Sequence, residues 1–300
     1  QGRTPREAHM YQRVLVATDG SPWSDAAVIS AIALAAHIGA ELRILTVPTT
    51  PMTYVAPDIM GSSDVVMETV ERQGQELLAL AAAQAESAGV SYASICKWGN
   101  VPETILQTAS EEQCDLILLG SRTITGWKRL MVGSISNAVT AKAQQPVLVI
   151  KPPPLLASDP SSWRRVLVAT GGSPWSDAAL DHALLLAQTQ ELEVYVLYVE
   201  PGRPRQTSAA LVATAEGKNI LALAEARAVT AGVAYETQLA YGHPAETILQ
   251  TAARQECDLI ILGSRGLSGW KRLILGSVSN AVAAKASRPV LIVKHFLLQS

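Results

Sequence analysis

Two glycine-rich stretches contain residues whose types and spacing could bind a phosphorylated ligand. They read GSRTITGWKRLMVGSISN at 120–137 and GSRGLSGWKRLILGSVSN at 263–280. In the second copy the spacing is Gly-x2-Gly-x9-Gly-Ser, formed by Gly263, Gly266, Gly276 and Ser277. Glycines let a backbone turn sharply and approach an anion closely, and the N–H groups that begin a helix bind negative oxygens. The pattern therefore predicts a phosphate-binding loop.

The glycine loops allow a second interpretation, in which they only end a strand and start a helix. A single Gly-x2-Gly would favour that simpler role, because glycine is common at such boundaries. The longer pattern lies after an apolar run and before a helical one, and this placement favours ligand binding. Ser277 and Ser279 would then add hydroxyl donors, although Ser277 is equally suited to be the N-cap of the helix.

The glycine loops belong to a unit that occurs twice in the chain. The stretch RVLVATDGSPWSDAA at 13–27 returns as RVLVATGGSPWSDAA at 165–179, and ETILQTA at 103–109 returns at 246–252. The repeated unit is roughly 140 residues long, which is the size of a whole domain rather than of a solenoid module. The sequence therefore predicts a first domain at 10–151, a Pro- and Ser-rich linker at 152–163 and a second domain at 164–295.

Each copy alternates short apolar runs with longer helical ones. In the first copy these runs predict strands at 14–18, 42–47, 92–98, 115–120 and 146–151, and helices at 24–40, 68–89, 101–113 and 134–144. Short, almost continuously apolar strands that alternate with helices indicate a parallel sheet covered on both faces. The predicted fold is α/β, with two tandem doubly wound, Rossmann-like domains that each contain a five-stranded parallel sheet.

Both repeats resemble the universal stress protein family in their glycine spacing, in the VLVATDGSPWSDAA stretch and in the strand order. The resemblance extends from Met10 to about Lys294. It implies an adenine nucleotide alpha hydrolase-like fold and, for one branch of the family, ATP, alone or with Mg, bound by a Gly-x2-Gly-x9-Gly-Ser/Thr motif. The resemblance places these second-domain residues at the nucleotide: Gly263, Arg265, Gly266, Gly276, Ser277, Val278 and Ser279. The first-domain equivalents are Gly120, Gly133, Ser134 and Ile135.

The two copies depart from the family pattern at different points. The resemblance implies an Asp near the ribose at the end of the first strand and a Val against the base at the end of the second. The first copy supplies Asp19 and Val47, whereas the second has Val199 but Gly171 in place of the Asp. In the first copy, Thr123 stands at the middle glycine of the loop. We expect the second loop to be the better phosphate site, because a threonine held at positive φ costs about 1–3 kcal/mol and its side chain could block the phosphate.

Arg265 has two possible roles, whereas a structural role is predicted for the two tryptophans that follow the Ser-Pro pairs. Arg265 lies between the glycines and either neutralises a polyphosphate or is a solvated loop charge. Trp23 and Trp175 follow Ser-Pro pairs, in which Pro22 and Pro174 suit the first position of a helix. We expect these two tryptophans to hold the loop and helix together.

Composition and charge argue against several kinds of partner. With 24 basic and 26 acidic residues the net charge is -2, which gives no sign of a nucleic-acid or membrane partner. No apolar run has the ~18 residues that a bilayer span needs. The 3 cysteines form no CxxC pair, which argues against a disulfide framework or a zinc site and favours a cytoplasmic location. Cys114 and Cys257 are predicted to be buried.

The sequence therefore favours a cytoplasmic, ATP-binding universal stress protein that acts as a nucleotide-dependent sensor or regulator in a stress response. One alternative is a nucleotide-free interaction scaffold of the same fold, and weaker ones are a slow ATPase and an electron-transfer-flavoprotein-like domain. No HExxH motif, Walker loop or Ser-His-Asp spacing is present. No catalytic residue or metal ligand is predicted, and weak ATP hydrolysis is the most activity we expect.

The fifth strands of the two copies form a predicted contact surface. The stretches PVLVI at 146–150 and PVLIV at 289–293 are short, apolar and at the edge of their sheets in this topology. Exposed apolar edges are normally paired or covered. The family resemblance implies antiparallel pairing of these strands, so we expect the halves of the chain to form a pseudo-dimer. Two chains would then form a homodimer.

Overall fold

The computed structural model describes residues 11–49, 63–121, 133–151, 160–202, 208–265 and 275–294. The strands of the first domain are β1 (Arg13–Thr18), β2 (Glu41–Thr46), β3 (Tyr92–Cys96), β4 (Leu116–Gly120) and β5 (Val147–Ile150). Its helices are α1 (Pro22–Ile38), α2 (Ser63–Ser87), α3 (Val101–Glu111) and α4 (Ser134–Lys142). All the predicted elements of this domain are present, although α1 and α2 begin earlier than predicted and β3 ends earlier.

The second domain repeats this order. Its strands are β6 (Arg165–Thr170), β7 (Glu193–Pro201), β8 (Tyr235–Gly242), β9 (Leu259–Gly263) and β10 (Val290–Val293). Its helices are α5 (Pro174–Gln190), α6 (Ser208–Ala231), α7 (Pro244–Arg254) and α8 (Ser277–Lys285). A short 3-10 helix at Pro160–Ser162 precedes β6.

Helices α1 and α5 begin where the Ser-Pro pairs predict. Ser21 is the N-cap of α1, and its hydroxyl accepts a hydrogen bond from the backbone N–H of Ser24 at 3.3 Å. Ser173 has the same role in α5, where Ser176 completes a capping box. The proline that follows each cap occupies the first helical position, as predicted, where its missing N–H costs nothing.

The two domains form one ten-stranded sheet with the order β3-β2-β1-β4-β5-β10-β9-β6-β7-β8. All neighbours are parallel except β5 and β10, which pair antiparallel with Leu148 opposite Leu291. This pairing confirms the contact predicted between 146–150 and 289–293. The doubly wound prediction is also confirmed, since each domain has its own five-stranded parallel half. The winding direction reverses between β1 and β4 and between β6 and β9.

The hydrophobic core differs between the two faces of the sheet. On the face covered by α1, α2, α5 and α6, a single cluster of buried side chains continues through both domains. Trp163, which is 2% exposed, belongs to this cluster. Tyr11 of the first domain also belongs to it and lies beside His182 of the second, with ring centroids 6.0 Å apart. On the opposite face each domain has a separate cluster. The two domains therefore share a core on one face only.

Cys114 and Cys257 are buried, as predicted. Burial is the main reason that their thiol pKa values rise, to about 12 for Cys114 and about 11 for Cys257. Both thiols are therefore protonated and behave as small apolar side chains at neutral pH. Among the helices of the described ranges, none combines the length and the apolar character that a bilayer span requires.

Candidate functional site

The glycine loops lie at the points where the winding of each half-sheet reverses. In the first domain the loop leaves β4 and enters α4, and β4 is paired with β1. In the second domain the loop leaves β9 and enters α8, and β9 is paired with β6. The carboxyl ends of parallel strands meet at one edge, so the start of each glycine loop is brought next to the loop that follows the first strand of its domain. Ligands of doubly wound sheets bind at this position.

The first glycine of each loop is required by packing between a strand and a helix. A Cβ atom placed on Gly263 would lie 2.5 Å from the carbonyl carbon of Trp175 and 2.8 Å from the N atom of Ser176. A Cβ atom on Gly120 would lie 2.1 Å from the carbonyl oxygen of Trp23. All three distances are shorter than any normal contact, so no side chain fits at either glycine. The glycine pattern predicts a close approach to an anion at these positions, and the structure shows a packing role at each of them.

Gly276 forms the end of the second loop without a left-handed conformation. Its φ is -59°, and its backbone N–H donates to the carbonyl oxygen of Ser264 at 2.8 Å. This bond joins the two ends of the loop directly. Gly133, the first-domain equivalent, also has a negative φ of -48°. Residues other than glycine can adopt the φ and ψ angles of Gly276, so its backbone conformation does not itself require a glycine.

Helix α8 begins with backbone donors that no side chain caps. Gly276 is its N-cap, so the alternative role of Ser277 as N-cap is wrong, and no side-chain cap bond is present. The first N–H groups of a helix have no intrahelical acceptor, and here they belong to Ser277, Val278 and Ser279. The side chain of Ser277 is exposed. In the first domain, α4 begins in the same way after Gly133, again with no side-chain cap bond.

Ser279 does not offer its hydroxyl to a ligand. This side chain is 5% exposed, and its Oγ donates to the carbonyl oxygen of Gly263 at 2.7 Å. Ser136, its first-domain equivalent, donates to the carbonyl oxygen of Gly133 at 3.1 Å. The prediction of a hydroxyl donor at Ser279 is therefore wrong, since that proton is already used to hold the helix to its loop. The backbone N–H of Ser279 keeps its place at the helix N-terminus.

Arg265 contacts the neighbouring loop of its own domain. Its guanidinium carbon lies 5.6 Å from the ring centroid of Trp175, a cation–π arrangement. The Ser173 hydroxyl also donates to the carbonyl oxygen of Arg265 at 3.4 Å. Trp175 thus holds the start of α5 against the glycine loop, as the expected staple. Arg265 is partly buried, and its Cα atom would lie 3.4 Å from a Cβ atom placed on Gly276, the residue before α8.

Asp19 and Gly171 occupy the same place after the first strand of each domain. The backbone N–H of Ser21 donates to Oδ1 of Asp19 at 3.0 Å, and the carboxylate is exposed. Desolvation alone would raise the pKa of Asp19, but hydrogen bonds from Ser21 and Ser24 outweigh it and lower the pKa below its usual value. Asp19 is therefore ionised at neutral pH. At Gly171, a Cβ atom would find nothing within 4 Å, so the position has room for a side chain.

Val47, Val199 and Val278 lie on the face of the sheet that α3 and α7 cover. Val47, one residue beyond β2, packs on the core cluster of the first domain, and Val199 packs on that of the second. Val199 lies within β7, not at its end, since β7 continues to Pro201. Ile135 is 38% exposed, whereas Val278 packs partly on the second-domain core.

Two lysines, one buried and one partly buried, are polar groups that the sequence analysis missed. Lys151 follows β5 and is 2% exposed, and Lys294 follows β10 and is partly buried. Burial lowers the pKa of Lys151 to about 8, and burial with the nearby charge of Arg265 lowers that of Lys294 to about 8. The signal was present, because VLVIK and VLIVK end with a lysine at the same place in both repeats.

Two positions of the glycine loops that the sequence analysis names, Gly266 and Thr123, lie outside the described residues. The described part of each site therefore consists of the two loop ends, the helix N-terminus and the loop after the first strand. In the second domain these parts are linked through Gly263, Arg265 and Gly276.

A comparison with known protein families identifies the family of this chain. The model described as "Universal stress protein family" matches residues 10–151 and 162–294. This chain belongs to the universal stress protein family. It is similar to the universal stress protein YxiE of Bacillus subtilis, with 38% identity over 149 residues, which are 44% of this chain and 99% of that protein.

Two further similarities cover nearly the whole of this universal stress protein. The universal stress protein Mb2028c of Mycobacterium bovis is 29% identical over 305 residues, which are 97% of this chain and 99% of that protein. The crystal structure of a universal stress protein from Archaeoglobus fulgidus is 25% identical, with a TM-score of 0.73, and covers 94% of this chain and 96% of that chain. The tandem arrangement is therefore shared with full-length members of the family.

The candidate sites of this universal stress protein present donors that could bind an anion and, in the first domain, a carboxylate that could accept a hydrogen bond from a hydroxyl group. Each domain presents uncapped helix N–H groups at the sheet edge, the second domain adds the Arg265 guanidinium, and the first adds the Asp19 carboxylate. Within the described ranges, no group of three or more His, Cys, Asp and Glu side chains is placed to hold a metal ion.

Proposed function

We propose that this universal stress protein binds an adenine nucleotide, ATP in the first instance, and acts as a nucleotide-dependent sensor or regulator. The phosphates lie at the N-terminus of α8, where Ser277, Val278 and Ser279 supply backbone donors and Arg265 supplies charge. The base lies near Val199. The same arrangement around α4, Asp19 and Val47 serves the first domain, with Gly133, Ser134 and Ile135 at the helix start.

The observation that carries the proposal is that α4 and α8 start at the winding reversal without a side-chain cap. By contrast, α1, α3 and α5 have an N-cap side chain that accepts a backbone N–H. Helix α7 also has no side-chain cap, but Pro244 at its first turn has no N–H to satisfy. An anion is the natural partner of free N–H groups and of the positive end of the helix dipole.

The experiment is an isothermal titration of the full chain with Mg-ATP, after any co-purified nucleotide has been removed. The matched variants are Gly276→Val and Gly133→Val. At Gly276 a Cβ atom would lie 3.3 Å from the Ser264 carbonyl oxygen, so the larger valine displaces the loop end. We expect Gly276→Val to lose the tighter site and to retain the other. Absence of heat in the wild-type chain, together with absence of co-purified nucleotide, would contradict the proposal.

A second candidate function is a nucleotide-free interaction scaffold. One observation favours it, namely a groove of about 630 Å³ between α5 and α6 on the outer face of the second domain. Its apolar lining includes Leu185 and Leu223, which are 36% and 68% exposed. The titration distinguishes the two functions, since a scaffold of this kind has no need of ATP.

A further inference from the structure

The segments just before β1 and β6 each pack on the other domain. Tyr11 precedes β1 of the first domain but contacts His182 in α5 of the second, with ring centroids 6.0 Å apart. Conversely, the 3-10 helix at Pro160–Ser162, which precedes β6, packs on α1 of the first domain. Tyr11 and Trp163 occupy the same place in the two repeats, and both belong to the core that the domains share. These exchanged segments therefore join the domains on the helix-covered face where that core lies.

The two repeats differ at the position of His182. In α1 the equivalent residue is Ser30, which is completely buried and whose hydroxyl donates to the carbonyl oxygen of Ala26 at 2.8 Å. A serine does not titrate in the range in which a histidine does. Of these two positions, His182 alone can therefore change its charge near neutral pH.

The neutral imidazole fits the contact with Tyr11. Nδ1 of His182 lies 2.9 Å from the carbonyl oxygen of Ala178, one turn earlier in α5. A carbonyl oxygen only accepts, so Nδ1 carries the proton and Nε2 carries the lone pair. The Tyr11 hydroxyl is buried and has no hydrogen-bond partner among the described residues. Protonation of His182 at Nε2 would therefore bring a positive charge to a contact between two domains.

The charged side chains of α5 and α6 near His182 already face one another. Asp181, the next residue of α5, is exposed and forms an ion pair with Arg227 of α6. Asp177 lies 4.0 Å from the same guanidinium group. The strands beneath α5 add only apolar side chains to this core, namely Val166, Val168, Val194, Val196, Leu259, Ile261, Leu291 and Val293. The second domain thus offers the imidazolium no unpaired carboxylate among the described residues.

The first domain offers no carboxylate either. Burial, followed by the charge of Asp115, raises the pKa of Tyr11, so the phenol stays neutral. The carboxylate of Asp115 is occupied at the start of β1, where it accepts hydrogen bonds from the backbone N–H groups of Gln12 and Arg13 at 2.7 Å and 3.1 Å. The titratable groups on this side of the contact therefore do not neutralise a charged His182.

The stability of the contact should depend on pH. Burial lowers the pKa of His182 below its ordinary value of 6.5, and the bond to the Ala178 carbonyl offsets only part of this effect. As the pH falls, the unfolded chain therefore binds a proton at this side chain before the folded chain does. The contact is fully stable above pH 6.5 and loses stability as the pH falls below it. Because His182 is only partly buried, a proton can reach it from water.

We propose that the Tyr11–His182 contact is a proton-sensitive latch between the two domains, and that protonation of His182 opens the helix-covered face. The pairing of β5 with β10 stays in place, since the core clusters on the opposite face do not include either residue. The domains then move about this strand pair as a hinge. The latch operates with or without a nucleotide, so it is independent of the function proposed above.

The test is hydrogen–deuterium exchange of the full chain at about pH 7.5 and about pH 5.5, followed by mass spectrometry and corrected for intrinsic rates. His182→Leu removes the titrating group, and His37→Leu is the matched control, because His37 is exposed in the last turn of α1. At the lower pH we expect faster exchange in α1, in α5 and around Tyr11 in the wild type and in His37→Leu. His182→Leu should show no such increase, and α3 and α7 should keep their protection in all three chains.

Two further measurements separate the latch from a contact that does not respond to protons. The ¹H–¹⁵N ring signals of His182 in the wild type should show protonation of Nε2 over the same pH range as the loss of protection. Tyr11→Ala removes the contact itself, so its α5 should lose protection at pH 7.5 as well.

Three results would overturn the latch. One is an equal loss of protection in the wild type and in His182→Leu, and another is a loss that is as large in α3 and α7 as in α5. The third is protonation of the His182 ring in the wild type without any change in exchange, a result that needs no variant. If His182→Leu does not fold, His182→Gln takes its place with the same expectation, because its amide remains neutral.

Discussion

Replacement of Gly263 by alanine should destabilise the fold whether or not a ligand is bound. The new methyl group would lie 2.5 Å and 2.6 Å from the carbonyl carbon and oxygen of Trp175. Both are backbone atoms in the first turn of α5, so rotation of a side chain cannot relieve the contact. The strand end and the helix start must move apart by about 1 Å to reach an ordinary van der Waals distance.

The loss of folding stability expected for Gly263→Ala follows from the known effect of adding atoms to a packed interior. Extra methylene groups in packed interiors cost about 1–3 kcal/mol, and backbone contacts belong at the upper end of that range. Each kcal/mol lowers the melting temperature of a domain of 150–250 residues by about 2–4 °C. We therefore expect a decrease of about 6–12 °C in Tm, measured by circular dichroism on the chain after any bound nucleotide has been removed.

Gly276→Ala is the matched control for Gly263→Ala. Its methyl group would lie 3.3 Å from the nearest atom, the Ser264 carbonyl oxygen, and its φ suits any residue. We expect its Tm to change by about 2 °C or less. A Gly263→Ala chain that melts like the wild type, or an equal loss in both variants, would refute the packing role of Gly263.

Three further changes have expected outcomes that the structure supports. Gly171→Asp should strengthen ATP binding by the second domain roughly 10-fold in a titration, because there is open space at this position and an Asp would reproduce Asp19; unchanged affinity would contradict that placement. Lys151→Met should stabilise the stripped chain by about 3 kcal/mol in urea unfolding at pH 7, because burial lowers the Lys151 pKa from 10.5 to about 8. The charged Lys151 destabilises the fold fully below pH 8, and this effect disappears as the pH rises towards 10.5. The unfolding free energies of the wild type and of Lys151→Met should therefore become equal near pH 10.5. A difference in unfolding free energy that does not change with pH would argue against a buried charge. Trp163→Ala should cost about 3–5 kcal/mol in the same assay, since its side chain is 2% exposed, whereas Trp98→Ala, at a position 40% exposed, should cost much less.

Most of the fold could be predicted from the repeat and from the apolar periodicity. The alternation of strands and helices predicts the doubly wound halves, and the short apolar stretches at 146–150 and 289–293 predict the β5–β10 pairing that the structure contains. On one face of the sheet a single core cluster runs through both domains, and on the other face it does not. This difference was not predictable from the sequence, because it depends on which side chains of the two domains meet. Trp163 and Tyr11 join that core from positions just before β6 and β1.

The sequence was less informative about individual roles within the candidate site. A glycine in a loop pattern does not reveal whether its missing side chain makes room for a ligand or for a helix, and Gly263 makes room for Trp175. A serine at a helix start does not reveal where its proton goes, and Ser279 donates to Gly263. Whether Lys151 is buried depends on how the domain packs, so the lowered pKa of its amine could not be predicted from the sequence.

The central claim is that nucleotide phosphates bind at the N-termini of α8 and α4. The most direct test follows the backbone amide signals of the full ¹⁵N-labelled chain during addition of Mg-ATP. The claim predicts the largest shifts at Ser277, Val278 and Ser279, with smaller shifts in the first turn of α4. Leu223, in the groove between α5 and α6, should not respond. Shifts confined to that groove, or no shifts at saturating ATP, would contradict the claim.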